Sequence, residues 1–132
     1  SGAGGTSWVG VETLRAQGHK RALGELLWDW GVPTAASVAF VADEGMTAIA
    51  TGGIRTGYDV ARAMALGAAA AGIARHAYKA FVEGGRDGAL VYLDGVEEEL
   101  RAVMLLTGSK TIADLRRAPK KLGRELADWL SI

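Results

Sequence analysis

The feature that most constrains this chain is a pair of glycines set directly behind a short apolar run. Thr47-Ala48-Ile49-Ala50-Thr51 leads into Gly52-Gly53-Ile54-Arg55-Thr56-Gly57. A short run of this kind bounded by glycines reads as a strand buried on both faces, as in parallel sheets. Across residues 58–66, Val60, Ala61, Met64 and Ala65 recur at helical spacing, and Gly67 ends the helix. Residues 69–74 are the next strand, supported by position more than by the propensity of their alanines. Strand, Gly-Gly loop, helix and strand together make a parallel βαβ unit, so the chain belongs to the α/β class.

The flanks are helical. Residues 9–14 and 21–30 show apolar residues at helical spacing, the second stretch carrying Leu23, Leu26, Leu27 and Trp30 on one face, with Gly31 placed as its cap. Residues 32–37, with Pro33, connect into a helix that runs to about Ala42. Residues 75–83 read as a loop and short helix. Residues 87–107 read as a long helix with Leu90, Leu93, Leu100, Val103 and Met104 on one side and Gly108 as its cap. A small helix over 111–116, a break at Pro119 and an amphipathic end at Trp129-Leu130 complete the chain. No fixed-period repeat or low-complexity linker divides it, so residues 1–132 are one domain or part of one.

Charge excludes some partners. Fifteen basic and fifteen acidic side chains cancel, which leaves no electrostatic footprint for nucleic acid or an anionic membrane. With no cysteine there is no thiolate nucleophile, disulfide or zinc-thiolate site, in keeping with a reducing cytoplasm. No segment is long and apolar enough to read as a membrane span. The opening Ser1-Gly2-Ala3-Gly4-Gly5 is expected to come from the middle of a longer protein.

The chemistry suggested by the glycine pair is phosphate binding. Two glycines behind a parallel strand let backbone N–H groups converge on an anion without Cβ interference, and Gly72-Ile73-Ala74-Arg75 places a second set at the next strand's end. In (β/α)₈ barrels a phosphate site is often built from the loops after strands 7 and 8. Arg55 adds a charge-assisted contact. The glycine-rich opening with Thr6 offers a third set of donors, but it lacks the last glycine of the dinucleotide fingerprint. Gly108-Ser109-Lys110-Thr111 follows a helix where a P-loop follows a strand, and reads as a cap and turn. Glu97-Glu98-Glu99 reads as a solvated helix face, and no metal ligand set is assigned. His19 is read as a surface residue. His76 and Trp8 adjoin the glycine loops and are held open for a binding role, while Trp28, Trp30 and Trp129 read as packing residues.

Taken in order, Ser1-Gly2-Ala3-Gly4-Gly5-Thr6-Ser7, Trp30-Gly31-Val32-Pro33-Thr34-Ala35-Ala36-Ser37, Thr51-Gly52-Gly53-Ile54-Arg55 with Ala65-Leu66-Gly67-Ala68, and Leu105-Leu106-Thr107-Gly108-Ser109 resemble the C-terminal portion of type 2 isopentenyl diphosphate isomerases. The Gly-Gly-Ile-Arg element alone is shared by many FMN barrels; the combination is specific. The resemblance implies a flavoprotein of isoprenoid biosynthesis that interconverts isopentenyl and dimethylallyl diphosphate. It further implies FMN as cofactor, active when reduced, with NADPH as reductant, Mg²⁺, and a cytoplasmic tetramer or octamer.

On this likeness the chain covers about the end of strand 6 to strand 8 of a (β/α)₈ barrel. Ser1 and Thr6 match flavin contacts after strand 6. Gly52, Gly53, Ile54 and Arg55 match the loop after strand 7, and Ala74 and Arg75 match the end of strand 8, where the family commonly has Gly in place of Arg75. The catalytic, Mg²⁺-binding and substrate-binding residues belong to the N-terminal portion, so none is assigned here. A complete barrel needs roughly 250 residues, so 132 residues are expected to be inactive alone and to fit a complementary portion. The competing expectations are another FMN-dependent barrel oxidoreductase, which normally shows a catalytic His or Cys near the loop, and a non-catalytic module for a phosphate ligand.

Overall fold

The computed structural model describes residue 5 and residues 7–131. Two helices open it, α1 (Trp8–Arg15) and α2 (Gly18–Leu26), followed by α3 (Thr34–Asp43). Strand β1 (Ile49–Ala50), helix α4 (Gly57–Ala65) and strand β2 (Ala70–Ala71) form the central unit. Helices α5 (Arg75–Leu106), α6 (Ile112–Arg117) and α7 (Arg124–Leu130) follow.

Local signals explain most of these boundaries. The Thr56 hydroxyl accepts from the Asp59 N–H while the Asp59 carboxylate accepts from the Thr56 N–H, a reciprocal cap that starts α4. Gly67, at φ +107°, ends that helix in a conformation L side chains rarely adopt. Thr111 and Asp114 repeat the reciprocal cap at α6. Helix α5 is broken inside by Gly84 (φ −132°, ψ 15°) and Gly85 (φ +61°, ψ −152°), which agrees with a short helix followed by a long one.

Strands β1 and β2 are parallel, with Ile49 opposite Ala70 and Ala50 opposite Ala71. The Ala69 N–H donates to Ala48 O and the Gly72 N–H to Ala50 O, both at 2.8 Å, extending the pairing one residue each way. Regular ladder is therefore shorter than the apolar runs 47–51 and 69–74, since each strand has only the other as partner among the described residues.

The core lies on one side of this sheet. Val38 of α3, Ala50 of β1, Val60, Ala61 and Met64 of α4 and Leu115 of α6 form one buried cluster, with Val96, Leu100 and Met104 of α5 packed against it. Alanines at the centre let the helices approach closely, and Arg116 ties α6 to the sheet by donating to Ala68 O at 2.8 Å. On the opposite side of the sheet Ile49 is 64% exposed, whereas Ala50 is fully buried.

Helix α2 differs from expectation. It ends at Leu26, and Gly31 does not take the positive φ of a helix cap. Leu23, Leu26 and Trp30 all remain exposed, because α2 packs on α1 through Gly24, where a Cβ would overlap the Thr13 side chain. No described helix is long and apolar enough to cross a membrane.

Candidate functional site

The loop after β1 turns on Gly52 (φ +97°) and Gly53 (φ +81°). Three neighbours hold it. The Thr34 hydroxyl, at the start of α3, donates to Gly52 O at 3.0 Å. Gly5 lies so close that a Cβ on it would sit 2.5 Å from Gly52 Cα. A Cβ on Gly72, beyond β2, would come within 2.7 Å of Thr51 Cγ2. At Gly5 a side chain has no room beside the Gly52 backbone, and at Gly52 and Gly53 the positive φ favours glycine.

The result is a cavity of about 620 Å³ at the C-terminal ends of both strands, within the usual range for small-molecule sites. Of the sequence-predicted site residues, Gly52, Gly53, Ile54, Arg55, Ala74 and Arg75 all line it. Gly72, Ile73 and His76 complete that wall, and Gly5 and Trp8 close the other side. Ser1 and Thr6 lie outside the described residues.

The walls carry chemistry that suits an anion. Among the described residues, the N–H groups of Gly53, Ile54, Ile73 and Ala74 donate to no protein acceptor. Helix α5 begins at Arg75 with Ala74 as its cap, and no side chain caps it. Its first-turn amides and the positive end of its dipole are thus left at the cavity. Arg55, Arg75 and His76 stand in the lining, and no described aspartate or glutamate does. Neither Arg55 nor Arg75 pairs with a carboxylate among the described residues.

Sequence reasoning passed over Tyr92 and read Glu99, within Glu97-Glu98-Glu99, as part of a solvated face. Tyr92, in α5, donates its hydroxyl hydrogen to Arg55 O at 2.6 Å, and the Glu99 carboxylate accepts from the Gly57 N–H at 2.7 Å. Both stand across a second hollow of about 580 Å³ on the far side of Arg55, which Asp59 also lines. Partial burial pushes the Tyr92 phenol up, reinforced by the charges of Glu99 and Asp59, so it stays a donor. The only signal in sequence was the helical register that places 92, 96 and 99 on one face. His19 is exposed, and no described group of three or more His, Asp or Glu is placed to hold a metal ion. Gly108 (φ +67°) terminates α5 and Thr111 caps α6, so Gly108-Ser109-Lys110-Thr111 is a cap and turn.

Fold and site define an α/β protein with a glycine-lined cavity, its backbone N–H groups meeting no described acceptor, at the ends of two adjacent parallel strands. The chain belongs to the FMN-dependent dehydrogenase family, whose sequence pattern matches residues 32–121. It is 45% identical over 132 residues to the isopentenyl-diphosphate delta-isomerase of Methanothermobacter thermautotrophicus, covering 99% of this chain and 37% of that protein. It is 46% identical over 136 residues to that of Sulfurisphaera tokodaii, covering 98% and 36%. The chain thus spans little more than a third of the length of these curated relatives. Among solved structures, a mandelate oxidase variant with the monooxide FMN adduct superposes with a TM-score of 0.63 at 37% identity, over 72% of this chain and 31% of that one.

Proposed function

We propose that this chain is the FMN-phosphate-gripping, C-terminal part of a (β/α)₈-barrel isomerase that interconverts isopentenyl and dimethylallyl diphosphate. Residues 1–132 are on this reading a portion of one barrel domain, about the end of strand 6 to strand 8. The observation that carries it is the convergence of Gly52, Gly53, Ile54, Arg55, Ala74 and Arg75 on one cavity that no described carboxylate lines, in a chain that matches isomerases along almost its whole length. The exposed face at Ile49 is then the barrel interior, and the free edges of β1 and β2 meet the strands of the N-terminal portion.

The cavity suits the flavin's phosphate. The N–H groups of Gly53, Ile54 and Ala74 would hold its oxygens, with Arg55 and Arg75 balancing the charge, and Ser1 and Thr6 would add contacts from the opening loop. When bound and reduced, FMN supplies proton movement at the allylic system of the substrate. What these residues contribute is placement: a phosphate fixed by rigid amides fixes where the ring system lies. Catalytic residues, the Mg²⁺ site and diphosphate contacts fall to the N-terminal portion. NADPH as reductant, a tetrameric or octameric assembly and a cytoplasmic setting follow from the resemblance.

A second reading, an FMN-dependent oxidoreductase, draws on the likeness to mandelate oxidase and on His76 at the cavity wall. The test is to combine the chain with the N-terminal two thirds of the Methanothermobacter relative, add FMN, NADPH and Mg²⁺, and follow both isopentenyl diphosphate and a 2-hydroxy acid. Isomerisation is expected. Oxidation of the hydroxy acid instead supports the second reading, and FMN binding without either turnover marks a non-catalytic module.

A further inference from the structure

The loop that bears the glycines is divided by its hydrogen bonds. The N–H groups of Arg55 and Thr56 both donate to Asp59 Oδ2, at 3.1 and 3.2 Å. The next N–H, that of Gly57, donates to Glu99 at 2.7 Å, and the carbonyl of Arg55 accepts from Tyr92. Every backbone donor from 55 to 57 is thus satisfied inside the protein, whereas those of Gly53 and Ile54 meet no described acceptor. Two of the four contacts are local to the α4 cap. The other two come from α5, 37 and 42 residues further along the chain.

We infer that Tyr92 and Glu99 are positioning residues for the phosphate loop, fixing the peptide planes at 55–57 so that the donors of Gly53 and Ile54 stay turned to the ligand. The inference rests on the FMN-phosphate reading of the cavity. Neither Tyr92 nor Glu99 lines the phosphate cavity. They act through the backbone of Arg55 and Gly57, and both are reachable without disturbing the buried core, since Tyr92 is only partly buried and Glu99 is exposed. The Tyr92 phenol, held protonated, keeps donating across the neutral range.

The test compares FMN with riboflavin, which lacks the phosphate, by fluorescence titration of the chain combined with the N-terminal portion. Tyr92→Phe removes the donor, Glu99→Leu removes the acceptor, and Glu99→Gln keeps a side-chain oxygen facing the Gly57 N–H. The preference for FMN over riboflavin is expected to fall roughly three- to tenfold in Tyr92→Phe and Glu99→Leu, as for loss of one hydrogen bond. It should stay near the parent's value in Glu99→Gln. A purely structural role would weaken both ligands together and lower the melting temperature without changing their ratio, and that result overturns the inference. Should the parent itself bind FMN and riboflavin equally, the phosphate reading fails and the positioning role with it. A parent that prefers FMN, beside variants with the same preference, refutes the positioning role alone.

Discussion

Replacing Gly57 by alanine tests the packing that brings the loop and α5 together. A Cβ built there would overlap the carbonyl oxygen of Val96 and the amide nitrogen of Leu100, and would sit 2.6 Å from Glu99 Cβ. All three belong to the α5 backbone or lie one bond from it, so no rotamer change relieves the clash and the helices must separate. Overpacking of this kind costs about 1–3 kcal/mol, and backbone atoms on the receiving side put this site at the upper end. Separation also stretches the Glu99 contact to the Gly57 N–H, a further loss of about 1 kcal/mol. Because Gly57 is the first residue of α4, alanine returns little of the ~1 kcal/mol that it gains in a helix interior. The net expectation is destabilisation by about 3 kcal/mol, or a melting temperature lower by roughly 10 °C for a domain of this size.

The control is Gly95→Ala, where a Cβ meets nothing within 4 Å and the backbone is not at positive φ. That variant should be more stable by about 0.5–1 kcal/mol. Thermal unfolding followed by circular dichroism at 222 nm measures both. Gly57→Ala melting within about 2 °C of the parent would refute the close approach of α4 and α5 and, with it, the route by which α5 reaches the loop.

Two further outcomes are expected. Gly53→Ala forces a side chain onto φ +81°, which costs roughly 1–2 kcal/mol, and it should weaken FMN by at least about tenfold while riboflavin changes less; isothermal titration reads the difference. The Asp114 carboxyl is held below the ordinary aspartate value, first by the Thr111 hydroxyl, then by the Thr111 N–H and by Arg117. Because the folded-state value is depressed, the stabilisation is fully present above the unfolded-state pKa and is lost as pH falls through the folded one. Thr111→Ala should therefore bring the Asp114 titration, followed by carboxyl NMR, back up toward the ordinary value.

The convergence of Gly52, Gly53, Ile54 and Arg55 with Ala74 and Arg75 was legible because its code is local, whereas Ser1 and Thr6 lie outside the described residues. Two glycines behind a strand, one helix later a second strand end, and an arginine between them specify a convergence point without any long-range information. The break in α5 was also legible, since Gly84-Gly85 interrupts the apolar spacing. Tyr92 and Glu99 were not. Their partners are backbone atoms 37 and 42 residues away, and an acidic run on a helix reads as solvated unless the neighbouring helix is known. Glu97, paired with Arg101 at 2.6 Å, fits that reading; Glu99, two residues on, faces α4. The end of α2 was misread for a different reason. Leu26, Leu27 and Trp30 continue the helical spacing, but nothing among the described residues covers Leu26 or Trp30, and periodicity without burial gives a helix little to hold its last turn.

A Cβ on Gly84 or Gly85 would meet no described atom within 4 Å beyond the neighbouring helix backbone, and the backbone at Gly85 is essentially reserved to glycine. On one side of them the chain carries Arg75 and His76; on the other it carries Tyr92, Val96 and Glu99. Residues gained or lost at this joint would leave the second segment seated on α4 and alter only the reach of the first. Length at this exposed joint can in this way change where Arg75 and His76 stand while the scaffold behind the glycine pair stays the same.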